Sequence, residues 1–498
     1  MTFNAVQPVD GSVYGEAIHE NTQSEVQDAI SRAKKVAKEF ASLSPKATAE
    51  LLRAIADSIE GKREALVASA CAETGLPEGR IGGEITRTTV QFKLFADLVE
   101  TGRHLRVVID KADPNYSPAP RPDIRRQNQP LGVVAIFAAS NFPLAFSVAG
   151  GDAASALASG NPVVAKGHPA HPHTCATVES AVKDALKKCN LSEDIFNVVQ
   201  GVNPQITHWL GSHPDIQAIG FTGSEAVGRI LIKISSEREV PIPVFAEMGS
   251  LNPVFVTQGA ITERSTDLAK GLVDSALLGS GQFCTKPGLV FVPKSASAFL
   301  DEIAAHLATL KVGPLLSASI AERYSKAIAQ IAASGAVKVL SGQENASGFG
   351  VTPTLFITDW ATAQKNHELL EEHFGPTSVI ITADESEYVS IAEQLQGQLT
   401  ATIQGAASDN VASLLSLLSI LSERAGRVIW NGFPTGVAVT EAMQHGGPWP
   451  SSSTHTTSVG IDAIYRFMRP VAYQSFAQDV LPPALQDSNP WKVEQRIN

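Results

Sequence analysis

The residue best suited to act as a nucleophile is Cys284, in the run Gly279-Ser-Gly-Gln-Phe-Cys284-Thr-Lys-Pro-Gly288. The small residues predict a turn between a helix over 266–278 and a strand, where the backbone can approach a substrate carbonyl. A buried structural cysteine lies more often in the middle of a helix or strand. From the residues alone, a catalytic thiol and a packing thiol remain equally open interpretations.

A carboxylate able to act as a base follows an apolar run in Val244-Phe-Ala-Glu247-Met-Gly249. In a parallel sheet, the carboxyl end of a strand faces the crevice where ligands bind, and desolvation there raises the pKa of an acid toward that of a useful base. The alternative is a structural carboxylate that caps the next turn. The residues alone do not separate the two.

Three further strand ends carry polar groups with a possible role in binding. In Phe221-Thr-Gly223-Ser224 a strand is followed by a turn and a helix start, whose free N–H groups suit a pyrophosphate. Asn141 follows the first strand of the series and can donate to an oxyanion, and Lys166 ends the second and can donate to a ribose or phosphate. The fingerprint G-x-G-x-x-G is absent, and helix capping or turn formation explains each group equally well.

The elements that must position these groups alternate between short apolar runs and amphipathic helices, first over 131–246 and again from 254 to 430. This rhythm predicts an α/β fold with parallel sheets and a domain boundary near 247–251. Helices are predicted over 24–41 and 47–71. The Pro-rich stretch 113–130 predicts an extended arm.

Composition limits the class of protein. The 498 residues suit two large domains, and the net charge of −11, with no basic run, argues against nucleic acid. No stretch is long and apolar enough to cross a membrane, and the beginning of the chain has no signal-peptide pattern, so a cytoplasmic protein is expected.

Four unpaired cysteines indicate a reducing compartment. The cluster of His168, His171, His173 and Cys175 matches no common zinc spacing, and no metal is expected.

Taken together, these segments resemble the signatures of the aldehyde dehydrogenase superfamily over about residues 10–470, and Cys284 follows Glu247 at close to the family interval. The resemblance implies that Cys284 attacks an aldehyde and that the Asn141 amide and the Cys284 N–H hold the oxyanion. The thiohemiacetal passes hydride to a nicotinamide, and Glu247 activates the water that hydrolyses the thioester to a carboxylate.

The same resemblance implies the fold and the cofactor contacts. It predicts a Rossmann-like cofactor domain (1–112 and 131–250), an α/β catalytic domain (251–446) and a bridging and oligomerisation arm (113–130 and 467–498), in a homodimer or homotetramer. Cofactor contacts are expected from Gly223 and Ser224 to the pyrophosphate and from Lys166 to the adenosine ribose. The segment Glu371-Glu372-His373-Phe374-Gly375-Pro376, otherwise a solvated helix end, supplies Glu372 for the nicotinamide ribose and Phe374 beside it.

Departures from the family pattern bear on cofactor and substrate. Pro169 stands where NAD-specific members often carry Glu, so NADP or NAD is expected, with NADP favoured. Ser140 replaces the usual aromatic residue before Asn141, and Glu247-Met-Gly-Ser-Leu replaces Glu-Leu-Gly-Gly-Lys. Neither change removes a catalytic group.

The runs 138–152, 166–172 and 445–449 resemble the branch of 2-oxoglutarate semialdehyde (2,5-dioxovalerate) dehydrogenases, which also holds NADP-dependent fatty aldehyde dehydrogenases. A short oxo-acid aldehyde would need a cation for its distal carboxylate, and Arg87 and Arg466 are the candidates, with surface ion pairs as the alternative. A cysteine-nucleophile acyltransferase or hydrolase is the rival of another class. It would not need Gly223, Ser224 or Lys166.

Overall fold

The computed structural model describes all 498 residues, which form mixed α/β layers. The strands are β1 (Thr2–Val6), β2 (Val13–His19), β3 (Val107–Asp110), β4 (Ile124–Pro130), β5 (Val133–Phe137), β6 (Val163–Lys166), β7 (Phe196–Val199), β8 (Ile216–Thr222), β9 (Val244–Glu247), β10 (Val254–Val256), β11 (Leu289–Pro293), β12 (Lys338–Ser341), β13 (Thr354–Asp359), β14 (Thr377–Ala383), β15 (Gln398–Gln404), β16 (Ala425–Trp430), β17 (Met468–Gln474) and β18 (Gln495–Ile497).

The α-helices are α1 (Gln23–Ala41), α2 (Pro45–Gly61), α3 (Arg63–Thr74), α4 (Glu78–Glu100), α5 (Gly151–Ala158), α6 (Pro172–Lys188), α7 (Gln205–Ser212), α8 (Glu225–Ser236), α9 (Gln258–Leu277), α10 (Ser297–Leu307), α11 (Ala318–Ala333), α12 (Trp360–Lys365), α13 (Tyr388–Gln394) and α14 (Val411–Arg424). None of them combines the length and the apolar content needed to cross a membrane.

A five-stranded parallel sheet in the order β7-β6-β5-β8-β9 forms the first layer of the molecule. One face packs against α2, α4, α5 and α6, and the other packs against α1, α7 and α8. Burial on both faces explains why these strands are continuous apolar runs rather than alternating ones. The carboxyl ends of β5, β6, β8 and β9 meet at one edge of the sheet.

The second layer is a seven-stranded sheet in the order β12-β13-β14-β11-β10-β15-β16. Its pairs are parallel except β12 with β13. Apolar clusters cover both faces. These two sheets confirm the predicted α/β class.

A four-stranded sheet in the order β17-β4-β3-β18 joins distant parts of the chain. The two predicted arm segments meet here, since β17 pairs antiparallel with β4 from Met468↔Pro130 to Gln474↔Ile124. The last strand, β18, lies parallel to β3.

Some elements differ from the sequence predictions. The helix expected over 47–71 is two helices, α2 and α3, separated at Lys62, whose φ and ψ are −105° and 16°. The hairpin β1–β2 and the long helix α4 were not predicted. Two adjacent glycines and buried polar residues such as Glu84 and Gln91 interrupt the apolar spacing of α4, which hides its periodicity.

Candidate active site

Cys284 lies in a loop between α9 and β11, in the cleft between the two parallel sheets, and its side chain is half-buried. The chain reaches it through a left-handed run in which Gly279, Ser280 and Gly281 have φ of 57°, 57° and 67°. A Cβ on Gly281 would collide with the backbone carbonyl of Gly375. The small residues are therefore required for this loop to pass close to its neighbours.

Asn252 ties the Cys284 loop to the segment that follows β9. Its amide nitrogen donates to the carbonyl oxygens of Cys284 and Lys286, at 2.8 and 2.9 Å. Asn252 is fully buried and has φ of 47°, a conformation that Asn tolerates better than most residues. The strand that carries Glu247 and the loop that carries Cys284 are thus held in one geometry.

Glu247 ends β9 and is buried beside Cys284. His445 Nε2 lies 3.1 Å from its Oε1 and 3.7 Å from Cys284 Sγ. The hydroxyl of Ser458 donates to the other carboxylate oxygen. The structure therefore brings the two residues predicted for chemistry together and adds a histidine between them.

The electrostatics of the pair favour a protonated thiol and an ionised carboxylate in the free protein. Burial, followed by the neighbouring carboxylates of Glu247 and Glu372, raises the pKa of Cys284 well above its usual range. Burial would also raise the pKa of Glu247, but the interactions with His445 and Ser458 hold it below its ordinary value. Glu247 is therefore able to accept a proton at neutral pH.

Asn141 also lies at the Cys284 loop. Its side-chain amide donates to the Gln282 carbonyl at 2.9 Å, and Arg80 donates to the Asn141 carbonyl at 3.3 Å. The backbone N–H of Cys284 donates to no acceptor in the protein. The amide of Asn141 has a second N–H, so two donors lie near the thiol, as an oxyanion site requires.

The residues predicted to hold a dinucleotide lie at the same edge of the first sheet. Ser224 is the N-cap of α8, its hydroxyl accepting from Val227 N, and Gly223 links β8 to this helix. Lys166 ends β6, and its ammonium group has no hydrogen-bond or ion-pair partner in the protein. Burial lowers the pKa of Lys166 to about 8. A helix start and a free ammonium group fit the phosphates of a dinucleotide.

Glu372 lies on the opposite side of the cleft, on the segment before β14. Its carboxylate accepts weakly from Ser250 N, at 3.4 Å, and a Cβ on Gly249 would collide with it. Burial, only partly offset by nearby Lys286, raises the pKa of Glu372. Phe374, two residues on, packs at the edge of the second sheet's core. Glu372 therefore faces the strand end that carries Glu247, whereas Phe374 is half-buried against the core of the second sheet.

Of the two candidate arginines, only Arg87 is near the thiol. Its guanidinium lies 5.2 Å from the ring centre of Phe146, makes no hydrogen bond to the protein, and contributes to the electrostatic environment of Cys284. Arg466 is buried instead in an ion pair with Asp152 at 2.7 Å and also donates to Ser155 Oγ. Asp152 neutralises its charge and the Arg466 side chain is only 3% exposed, so the expectation that Arg466 binds substrate is corrected.

Two site residues, His445 and Ser458, were not predicted as functional. His445 was noted only as part of the run 445–449, and nothing local distinguishes Ser458 among its neighbouring serines and threonines. Both come from the segment between β16 and β17, whose residues 451–453 hydrogen-bond along β9. Only the tertiary path of the chain places them beside Glu247.

An apolar cluster covers the approach to the thiol. It consists of Ala139, Phe142, Ala145, Phe146, Phe283 and Val459, with Val437, Val439 and Met443 packed against it. Because Phe283 of this cluster directly precedes Cys284, one side of the thiol is apolar.

Comparison with known proteins agrees with this geometry. The model of the aldehyde dehydrogenase family matches residues 1–471. An alpha-ketoglutaric semialdehyde dehydrogenase 2 from Azospirillum brasilense is 42% identical over 98% of this chain and 93% of its own. An alpha-ketoglutaric semialdehyde dehydrogenase from Acinetobacter baylyi is 39% identical over 100% and 95%.

Among solved structures, a glyceraldehyde-3-phosphate dehydrogenase from Methanocaldococcus jannaschii, complexed with NADP, has the same fold with a TM-score of 0.81. It is 23% identical and is matched over 94% of this chain and 98% of its own. The family match over residues 1–471 and the identity to the two bacterial relatives confirm the predicted superfamily. The chain belongs to the aldehyde dehydrogenase family.

Proposed function

We propose that this enzyme oxidises 2-oxoglutarate semialdehyde to 2-oxoglutarate with NADP or NAD. The observation that carries the proposal is the contact among Cys284, Glu247 and His445 in a cleft bordered by the sheet edge that bears Lys166, Gly223 and Ser224. The names of the Azospirillum and Acinetobacter relatives support this aldehyde.

The side chains account for the proton movements of such a reaction. As Sγ of Cys284 attacks the aldehyde carbon, its proton passes to Glu247, and Asn141 and the Cys284 N–H stabilise the oxyanion. A bound nicotinamide would supply the hydride acceptor that turns the thiohemiacetal into a thioester. Glu247 releases the proton of the thiol to solvent and, held by His445 and Ser458, is then ready to accept a proton from the water that releases the acid product.

Arg87 is proposed to bind the distal carboxylate of the substrate. It is a cation near the thiol with no acceptor of its own, and the aromatic rings around it reduce competition from water. Its position on α4 sets the distance between the two ends of a short substrate. We expect a substrate with an acid group at the far end from the aldehyde.

A longer apolar aldehyde is the second candidate substrate, because the cluster around Phe142 and Phe146 offers an apolar surface beside the thiol. Arg87 separates the two candidates. A fatty aldehyde would not use its charge, whereas an oxo-acid aldehyde would depend on it.

The test is a panel of 2-oxoglutarate semialdehyde, pentanal and decanal with each nucleotide, followed by the absorbance of the reduced nicotinamide. Arg87→Gln is expected to raise KM for the oxo-acid aldehyde about 10- to 100-fold, the value of a charge-assisted hydrogen bond, and to leave pentanal unchanged. Arg87→Lys, which keeps the charge, is the matched control. Equal KM values in all three proteins would refute the role of Arg87.

The same panel tests the class of reaction. Cys284→Ala is expected to abolish nucleotide reduction with every aldehyde. A cysteine acyltransferase or hydrolase would instead show no nucleotide reduction in the unaltered enzyme.

We also propose a homodimer or homotetramer. The solvent face of α14 carries Val411, Leu415 and Leu418, with 67%, 60% and 41% of their surface exposed. Apolar residues at this helical spacing on an outer face are typical of an interface. The outer strands β16 and β17 also leave open sheet edges.

A further inference from the structure

The side chains of Cys284, His445 and Glu247 have the composition and spacing of a metal site. Their ligand atoms all lie within 4.8 Å of one another. Sulfur, imidazole nitrogen and carboxylate oxygen are the three ligand types that Zn²⁺ takes in proteins. We propose that these three residues form an inhibitory Zn²⁺ site in the free enzyme.

The distances match a tetrahedral ion. With Zn–S and Zn–N or Zn–O bonds of about 2.3 and 2.0 Å, tetrahedral ligands lie about 3.6 Å apart when one is sulfur and about 3.3 Å apart when neither is. Cys284 Sγ and His445 Nε2 are 3.7 Å apart, and His445 Nε2 and Glu247 Oε1 are 3.1 Å apart. The third pair, Cys284 Sγ and a Glu247 carboxylate oxygen, lies within 4.8 Å, so these two side chains must move closer for all three to bind one ion.

The carboxylate of the cluster has an oxygen atom available to bind an ion. Glu247 Oε1 is buried and has no partner apart from its 3.1 Å contact with His445 Nε2, and both side chains are at least nine-tenths buried. An ion at the centre would satisfy the carboxylate oxygen, with His445 carrying its proton on Nδ1 and binding through Nε2.

The charges balance when the ion binds. Zn²⁺ forms a bond to Sγ as the S–H bond breaks and its proton leaves to solvent, so a thiolate and a carboxylate neutralise the two positive charges. No electron transfer is involved. Three protein ligands leave a fourth position for water, and the bound sulfur can no longer attack an aldehyde. Inhibition is therefore competitive with aldehyde and reversed by a chelator.

A second cysteine–histidine pair provides a matched control. Cys175 Sγ lies 3.3 Å from His171 Nδ1, but the other nitrogen of His171 bonds the Ala139 carbonyl and no carboxylate completes the set. Two ligands bind Zn²⁺ more weakly than three, so this pair should not retain the ion.

The experiment is calorimetric titration of ZnCl₂ into the full, untagged, chelator-treated enzyme without nucleotide or aldehyde. We expect one Zn²⁺ per chain in the unaltered enzyme and in Cys175→Ala, and at least roughly tenfold weaker binding in Cys284→Ala, His445→Gln and Glu247→Gln. No binding to the unaltered enzyme, or equal binding in the three site variants, would overturn the proposal.

The absorption spectrum of bound Co²⁺ is a second measurement, and it does not depend on how well the three site variants fold. In the unaltered enzyme and in Cys175→Ala it should give a thiolate charge-transfer band and the intense visible absorption of tetrahedral cobalt. Octahedral absorption without a thiolate band would overturn the site. Because neither readout uses an aldehyde, their failure is distinct from failure of the proposed oxidation.

Discussion

At the scale of single residues, the feature that distinguishes this site is the anchoring of Glu247 from both sides. His445 approaches one carboxylate oxygen and Ser458 donates to the other. A carboxylate fixed in this way stays ionised and oriented toward the thiol, so orienting it costs less free energy in each step of the reaction. His445 therefore acts as a positioning residue for the base.

Replacing His445 should impair chemistry more than binding. We expect His445→Leu to lower kcat about 10- to 100-fold with little change in KM for the nucleotide, because Glu247 loses one of its two anchors. His445→Gln, whose amide N–H can replace the imidazole donor, should recover part of that loss. Steady-state kinetics with chelator present measures both. Equal kcat in the Leu and Gln variants would show that the donor is unimportant.

Lys166 should make NADP use depend on pH. Burial lowers its pKa to about 8, so its positive charge is present below that pH and is lost as pH rises through it. We expect kcat/KM for NADP to fall above about pH 8, following the free enzyme. Lys166→Arg, always charged, should keep the value level at high pH. A wild-type NADP profile that stays level above pH 8 would contradict this.

Sequence analysis found the residues that have a local signal and missed those that are positioned by long-range contacts. Cys284 lies in a small-residue turn and Glu247 ends an apolar strand. Both signals can be recognised within a few residues of sequence. His445 and Ser458 act on partners 161 and 211 positions away. Contacts at that separation depend on the route of the whole chain, which no local pattern records.

At the scale of elements, the loop after β9 and the loop before β11 behave as one unit. The buried Asn252 joins them through two hydrogen bonds from its amide, to the carbonyls of Cys284 and Lys286, and also contacts the Ser250 carbonyl within its own loop. Gln398 on β15 accepts from the backbone N–H groups of Leu251 and Asn252, which fixes the same turn from the second sheet.

Removing this junction should cost both stability and activity. We expect Asn252→Ala to destabilise the protein by about 2–4 kcal/mol, since buried carbonyls lose their donor and alanine tolerates positive φ poorly. Asn190→Ala, at an exposed position with φ of 55°, is the control and should cost about 1 kcal/mol. Thermal unfolding midpoints and kcat measure the effects. Equal losses in the two variants would show that backbone strain alone is responsible.

Helices and strands were predictable from the sequence where their apolar residues follow a single helical or strand spacing. Strands of the two parallel sheets are apolar runs bounded by turns, and the helix expected over 24–41 is α1, Gln23–Ala41. The hairpin β1–β2 was missed because its strands are mostly exposed, so burial imposes no continuous apolar run on them. Helix α4 was missed because its buried face includes glutamate, glutamine and threonine, and the partners of Glu84, the N–H groups of Leu144 and Ala145, lie elsewhere in the fold.

At the scale of the whole molecule, the exposed apolar face of α14 leads to a prediction about assembly. Leu415→Glu is expected to shift the mass in light scattering toward that of one 52.6-kDa chain, because a charge in a buried interface is costly. Val13→Glu, an exposed apolar position on β2, is the control and should leave the mass unchanged. An unaltered mass in Leu415→Glu would place the interface elsewhere.

The pairing of β9 with residues 451–453 has a consequence for the nascent chain during synthesis. On the ribosome, the nucleophile and the base emerge well before His445, Ser458 and the strand that pairs with β4. Until His445 and Ser458 have left the exit tunnel, the carboxylate lacks its two anchors. A nascent chain therefore carries its thiol, from the time Cys284 emerges until these residues follow, without a working enzyme around it.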